Sequence, residues 1–138
     1  MDKKKILMAE DEKDVLDVMA RKVATAGYEV ITAMDGEEAW DKIQKENPDV
    51  VLLDLNIPKK DGFRILKDLR SHPPSTRWIP VIIISARTEL QDMQKGFDLE
   101  AEHYLTKPCT VDDILKGIRL VLSLVPRHKT PEEIDKEK

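Results

Sequence analysis

The residues of this sequence that are best suited to chemistry each stand at or next to the end of an apolar run: Glu10, Asp11, Asp54, Ser85 and Lys107. A short apolar run that ends in a polar group is typical of a buried strand whose end reaches the surface. In open parallel α/β sheets, ligands bind at the carboxyl ends of the strands, so we expect these groups at one rim of a sheet. Asp54 at such a position is a ligand, a nucleophile or a helix cap.

The types of these residues predict a metal-assisted reaction at phosphorus. Three clustered carboxylates raise each other's pKa, and a hard divalent cation such as Mg²⁺ relieves that repulsion. With the metal bound, Asp54 stays ionised and can act as a nucleophile toward phosphorus. The metal, the Lys107 ammonium and the Ser85 hydroxyl could then hold the three equatorial oxygens of the transferred group. The positions and types together predict an aspartyl-phosphate site.

The elements that must position these groups alternate between strand and helix five times, which is typical of a doubly wound α/β fold with a parallel sheet. The predicted strands cover residues 5–9, 28–33, 49–54, 79–85 and 102–106. The predicted helices cover residues 13–26, 36–47, 63–69, 89–95 and about 110–125. The run 50–53 is apolar on both faces and predicts a central strand with helices on both sides. The fifth strand is the least apolar, which predicts that it lies at a sheet edge.

Composition limits the class of protein. The 138 residues suit one domain, and the net charge of −4 gives no argument for direct nucleic acid binding or for a membrane surface. Cys109 is the single cysteine, which suits a reducing compartment, and no apolar run approaches ~20 residues. We therefore expect a cytoplasmic protein. Residues 126–138 are charged and interrupted by prolines, and predict a mobile tail after a domain of residues 1–125.

The chain resembles the receiver domain of two-component response regulators over residues 4–125. The matching segments are Met8-Ala9-Glu10-Asp11-Glu12, Leu52-Leu53-Asp54-Leu55-Asn56-Ile57-Pro58, Asp61-Gly62, Ile84-Ser85-Ala86-Arg87 and Tyr104-Leu105-Thr106-Lys107-Pro108. The resemblance implies a flavodoxin-like (βα)5 fold with the strand order 2-1-3-4-5. It also implies a phosphoacceptor signalling switch that is no enzyme beyond its own phosphorylation and dephosphorylation.

The resemblance implies a role for each residue of the site. Asp54 accepts a phosphoryl group from a phosphohistidine of a sensor histidine kinase or a histidine phosphotransfer protein. Asp11 binds Mg²⁺ directly, Glu10 binds it through water, and Asn56 binds it through the backbone carbonyl.

Further roles concern the phosphorylated state. The resemblance implies that Lys107 pairs with the phosphoryl oxygens and that Ser85 hydrogen-bonds the phosphoryl group. It also implies that Tyr104 is a switch aromatic that turns inward. Arg87 and Asn56 occupy the two positions that, in the family, tune how fast the phosphoryl group is lost.

Three positions depart from the commonest pattern of the family. Glu10 replaces a frequent aspartate, and its longer side chain still reaches a metal-bound water. Glu100 stands where glycine is common, and Cys109 stands where phenylalanine is common. Neither of these two removes a chemical group, but both lie near the expected output face.

Leu120 and Leu124 fall outside the core stripe of the fifth helix. They belong to a wide core face, are covered by the tail, or form an exposed patch for a partner. We predict that helix four, strand five and helix five form the output surface for an effector or a self-dimer. Winged-helix regulators usually carry an arginine at the position of Gly117, so dimerisation in their manner is not favoured.

Other functions remain open at this stage. The chain is either a stand-alone receiver or a fragment of a longer transcriptional regulator. A haloacid dehalogenase-type phosphatase also uses a strand-end aspartate, but it needs a second aspartate where this chain has Asn56, and it places the motif on its first strand. A receiver-like binding module that is never phosphorylated is disfavoured by the intact set of site residues.

Overall fold

A computed structural model describes residues 3–75, 77–86 and 90–124 of the chain. The strands are β1 (Lys5–Ala9), β2 (Glu29–Ala33), β3 (Val50–Leu53), β4 (Val81–Ser85) and β5 (His103–Thr106). The helices are α1 (Lys13–Thr25), α2 (Gly36–Glu46), α3 (Gly62–Ser71), α4 (Leu90–Asp98) and α5 (Val111–Leu124). Within these ranges, each helix is too short or too polar to span a membrane.

The five strands form one parallel sheet in the order β2-β1-β3-β4-β5, which confirms the predicted fold. The central strand β3 is buried along its whole length, and β5 lies at the sheet edge as predicted. The chain leaves β1 and β3 side by side, since the Asp54 N–H donates to the carbonyl of Ala9 at 3.1 Å. The residues that follow these two strands are therefore neighbours.

Two apolar clusters cover the two faces of the sheet. Alternate residues of β3 point to opposite faces, so Val51 and Leu53 join one cluster while Val50 and Leu52 join the other. The first cluster packs against α2, α3 and α4, and the second packs against α1 and α5. The sheet is thus covered on both sides, and polar groups can collect only at its rims.

Side-chain caps are present at the starts of two helices. The Glu38 N–H donates to the carboxylate of Asp35 at 2.8 Å at the start of α2. Thr110 and Asp113 bond reciprocally, each side chain accepting from the other's backbone N–H at 3.0 Å. This capping box fixes the start of α5 a few residues after Lys107.

Several element boundaries differ from the sequence prediction, and two of these differences have a local cause. Helix α4 ends at Asp98 rather than at residue 95, because Gly96 serves close packing within the helix rather than termination. A Cβ atom at Gly96 would lie 2.8 Å from Cδ1 of Ile83. Strand β4 starts two residues later than predicted because Pro80 has no N–H to donate to a ladder. Arg87 and the predicted tail 126–138 lie outside the described residues.

Glu100 adopts the left-handed backbone conformation, with φ of 65°, in the turn between α4 and β5. This explains why glycine is common at this position in the family. The turn is held by Arg70, whose Nε and Nη2 donate to the carbonyl of Glu100 at 3.2 and 2.8 Å. A non-glycine residue is kept in a strained conformation here by bonds to its own backbone.

We predict that Glu100→Gly is more stable than Glu100→Ala by about 0.5–1 kcal/mol, because glycine relieves the left-handed strain but loses more entropy on folding. Urea unfolding of both variants measures the difference. The alanine variant is the control, since it removes the same side chain and keeps the strain. Equal stability of the two variants would contradict the explanation.

Candidate functional site

The site lies at the carboxyl ends of β1, β3 and β5, where each strand is followed by at least one charged group of the site. Lys107 Nζ donates to Asp54 Oδ2 at 2.7 Å and to Glu10 Oε2 at 2.8 Å. Strand β4 separates β5 from β3, so the long lysine side chain reaches past the end of β4 to join them. One ammonium therefore connects three of the five strands.

Asp54 is held by both of its carboxylate oxygens. Oδ2 accepts from Lys107, and Oδ1 accepts from the backbone N–H of Asn56 at 2.9 Å. The residue is only 5% exposed, while Asn56 is exposed to solvent. Asp54 directly follows a buried strand, and both of its carboxylate oxygens accept hydrogen bonds. The orientation of the Asp54 carboxylate is therefore fixed.

Glu10 is oriented in the same manner. Its Oε1 accepts from the backbone N–H of Glu12 at 3.2 Å, and its Oε2 accepts from Lys107. Asp11 is exposed beside it. One carboxylate oxygen from each of Glu10, Asp11 and Asp54 lies within 4.8 Å of the other two. The structure thus brings together the three acids that the sequence singled out.

The charges of this cluster do not balance. Burial raises the pKa of Glu10, and the neighbouring Asp54 raises it further against the opposing bond from Lys107. Burial alone would lower the pKa of Lys107, but its bonds to Asp54 and Glu10 raise that pKa above its ordinary value. Lys107 therefore supplies one positive charge to a cluster of three carboxyl groups, so the acids outnumber the cation. An oxygen-only donor set of this kind fits Mg²⁺.

Ser85 and Tyr104 lie on the two strands beside this cluster. Ser85 ends β4, is fully buried, and accepts the backbone N–H of Lys107 at 2.8 Å through its carbonyl. Tyr104 on β5 is 7% exposed and packs beside Gly96, where a Cβ would lie 3.5 Å from its ring. Tyr104 therefore already occupies an inward position in this structure.

The end of the loop after Asp54 packs closely against the backbone at the start of the same loop. The Gly62 N–H donates to the carbonyl of Leu55 at 3.2 Å. A Cβ at Gly62 would lie 2.8 Å from both the Asp54 carbonyl oxygen and the Leu55 Cα, so only glycine fits. The sequence showed Asp61-Gly62 as part of a motif but gave no sign of this backbone contact.

The comparisons with known proteins agree with the fold and the motifs. The family model of the response regulator receiver domain matches residues 6–119, which is most of the chain. The chain belongs to the response regulator receiver domain family. It is therefore a receiver domain of two-component systems, and a signalling switch rather than an enzyme in the usual sense. The family assignment decides against the haloacid dehalogenase-type phosphatase.

Two solved receiver domains illustrate the similarity. A CheY-like receiver domain protein of Methanospirillum hungatei JF-1 has a TM-score of 0.83 and 25% identity, over 91% of this chain and 98% of that one. The chemotaxis protein CheY4 of Vibrio cholerae has a TM-score of 0.80 and 31% identity, over 87% of this chain and 99% of that one.

Similar curated proteins are longer than this receiver domain. The alkaline phosphatase synthesis transcriptional regulatory protein PhoP of Bacillus subtilis is 35% identical over 86% of this chain and 48% of its own length. The transcriptional regulatory protein KdpE of Staphylococcus aureus is 37% identical over 91% of this chain and 52% of its own length. The chain spans about half the length of these relatives.

We predict that Lys107→Ala lowers the free energy of unfolding, measured without divalent metal, by about 2 kcal/mol. The reason is that two buried carboxylates lose their charged partner. Urea unfolding in the presence of a chelator measures this loss. Lys116→Ala is the matched control, since the Lys116–Asp112 pair is 68% and 67% exposed and its loss costs almost nothing. Equal midpoints for the two variants would show that Lys107 does not hold the cluster.

Proposed function

We propose that this receiver domain accepts a phosphoryl group on Asp54 and changes its output surface in response. The observation that carries this proposal is the shared Lys107 ammonium, which lies 2.7 Å from Asp54 and 2.8 Å from Glu10 beside the exposed Asp11. A fixed carboxylate with a permanent cation next to it suits attack on a phosphoryl group whose charge must be neutralised.

The reaction proceeds by in-line displacement. A carboxylate oxygen of Asp54 forms a bond to phosphorus while the bond from phosphorus to the donor's imidazole nitrogen breaks, and the imidazole leaves with the electron pair and takes up a proton. Lys107 then pairs with a phosphoryl oxygen, and the hydroxyl of Ser85 hydrogen-bonds another. The Asn56 N–H holds the Asp54 carboxylate in place during the transfer.

Asp11, Asp54 and the backbone carbonyl of Asn56 would hold Mg²⁺, with Glu10 acting through a water. When bound, the ion neutralises charge that develops on the transferred oxygens. The three clustered carboxyl groups support this assignment, because they bring more oxygen ligands together than the single ammonium of Lys107 can pair with.

The donor that we propose is a sensor histidine kinase or a histidine phosphotransfer protein, since the attacked group in two-component systems is a phosphohistidine. The relatives are named as transcriptional regulators and are about twice as long, so we propose that the switch acts on an effector domain or a separate partner. The single cysteine suits a reducing compartment, and we propose the cytoplasm.

We predict that incubation with acetyl phosphate and Mg²⁺ gives one phosphoryl adduct by intact mass spectrometry. Asp54 is the only nucleophile that this proposal assigns, so Asp54→Asn forms no adduct. Removal of Mg²⁺ with a chelator also prevents the adduct, because the acidic cluster then repels the donor. An adduct that persists in Asp54→Asn, or no adduct on the wild-type protein, would refute the proposal.

We further propose that phosphorylation shifts the population of a conformation in which the face of α4, β5 and α5 differs. Leu120 on this face is 46% exposed, and Leu124 is half-buried at the end of α5. Leu120 lies beside Gly117, which packs against the ring of His103, where a Cβ would lie 3.1 Å from that ring. A side chain at position 117 would therefore make a tight contact, and the His103 ring would have to shift slightly to admit an arginine there.

We propose that one use of this face is self-association of the phosphorylated chain, and we predict that Leu120→Glu combined with Leu124→Glu weakens it, because the apolar contact area becomes charged. Analytical ultracentrifugation with and without acetyl phosphate measures it. Val18→Glu is the matched control, since Val18 is 48% exposed on α1 and outside this face. Association that responds equally to both changes, or to neither, would contradict the assignment of the face.

A further inference from the structure

Two strands of the sheet begin with the same arrangement, which we call a carboxylate clamp. In the Glu102 clamp, before β5, the Glu102 N–H donates to the Val81 carbonyl at 3.0 Å and its carboxylate accepts from the Val81 N–H at 2.6 Å. In the Asp49 clamp, before β3, the Asp49 N–H donates to the Lys5 carbonyl at 2.7 Å and its carboxylate accepts from the Lys5 N–H at 2.7 Å.

The two clamps are matched in burial and in charge. The side chains of Glu102 and Asp49 are 16% and 17% exposed, and each pairs with an arginine, Arg70 and Arg77 respectively. Each clamp thus ties the first residue before a strand to the start of its neighbour, through the backbone and through a carboxylate.

The Glu102 clamp is reinforced by two other segments. The Trp78 Nε1–H donates to Glu102 Oε1 at 2.6 Å, and Arg70 stacks on the Trp78 ring with its Cζ 3.8 Å from the ring centre. Arg70 also donates to the carbonyls of Ile79 and Glu100, at 2.7 and 2.8 Å. Glu102 therefore joins the end of α3, the segment before β4 and the turn before β5.

The strands that follow the two clamps differ in their support. β3 is the central strand and is hydrogen-bonded to β1 and to β4, so its register is fixed along both sides. β5 is the edge strand and takes its register from β4 alone, through the pairs from Ile82–His103 to Ser85–Thr106. Lys107 directly follows β5. The Glu102 clamp therefore has a larger influence on the position of Lys107 than the Asp49 clamp has on the position of Asp54.

We propose that Glu102 is a positioning residue for phosphorylation, which fixes the register of β5 and so holds Lys107 at Asp54. The expected effect on the phosphorylation rate rests on the proposed function, whereas the effect on the register of β5 does not. Removal of the Glu102 carboxylate leaves the Val81 and Trp78 N–H groups without this acceptor and Arg70 without its counter-charge. The start of an edge strand then loses its side-chain attachment.

The rate of phosphorylation by acetyl phosphate, measured at saturating Mg²⁺ where all variants are folded, tests this proposal. We expect Glu102→Ala to slow it by about tenfold, because small displacements of a catalytic group are costly. Asp49→Ala is the matched control and should lower stability while leaving the rate near that of the wild-type protein. Glu102→Gln keeps one of the two acceptor oxygens and should lie between them. Equal rates in Glu102→Ala and Asp49→Ala would overturn the proposal.

A double-mutant cycle shows whether Glu102 acts through Lys107. In the Lys107→Ala background, the further change Glu102→Ala should leave the remaining rate unchanged. A second slowing of similar size in that background would mean that Glu102 has a general structural effect, and would also overturn the proposal.

Hydrogen exchange separates this proposal from the proposed function, because it needs no phosphorylation. The Lys107 N–H donates to the carbonyl of Ser85 at 2.8 Å, so its exchange reports the end of β5. We expect Glu102→Ala or Glu102→Gln to speed exchange at Lys107, and Asp49→Ala to leave it slow. Unchanged exchange in the Glu102 variants refutes the positioning role, whereas a wild-type protein that takes no phosphoryl group refutes only the proposed function.

Discussion

The ammonium of Lys107 is the contact on which the site depends. It lies within hydrogen-bond distance of carboxylates from two central strands, although its own strand is at the sheet edge. Buried acids at the ends of adjacent strands would repel one another without it. The acids outnumber this ammonium, and their oxygens are the donor set of the proposed Mg²⁺ site. One lysine thus pairs with two of the acids without using up the oxygens of the cluster.

Asp54 and Lys107 must both be held in position, but the strands that carry them, β3 and β5, are supported differently. β3 is buried on both faces and bonded along both sides, so Asp54 is rigid by virtue of its position in the fold. β5 has one paired side, and the charged group that it carries must be held from other directions. The capping box of α5 fixes the chain just after Lys107, and the Glu102 clamp fixes it before β5. The edge strand is thus secured at both ends.

The sequence predicted the fold and the clustering of acids because apolar runs and the polar groups that end them follow local rules. It did not predict the contacts that depend on backbone approach, such as Gly62 over the Asp54 carbonyl or Gly96 against Ile83. It also did not predict the partner of Trp78, since a single tryptophan in a sequence carries no sign of what its indole N–H will contact. The bond from Trp78 to Glu102 joins residues 24 positions apart, and only the folded chain brings them together.

The tryptophans make two parts of the molecule observable by fluorescence without added labels. Indole emission responds to nearby charge, and the two rings face different cations: Trp78 lies beside Arg70, and Trp40 lies 4.4 Å from Lys60 Nζ. The first ring reports the start of the edge strand, and the second reports the loop that follows Asp54. Replacing one tryptophan at a time by phenylalanine would assign the two signals, and movement at opposite ends of the sheet could then be timed separately in one protein.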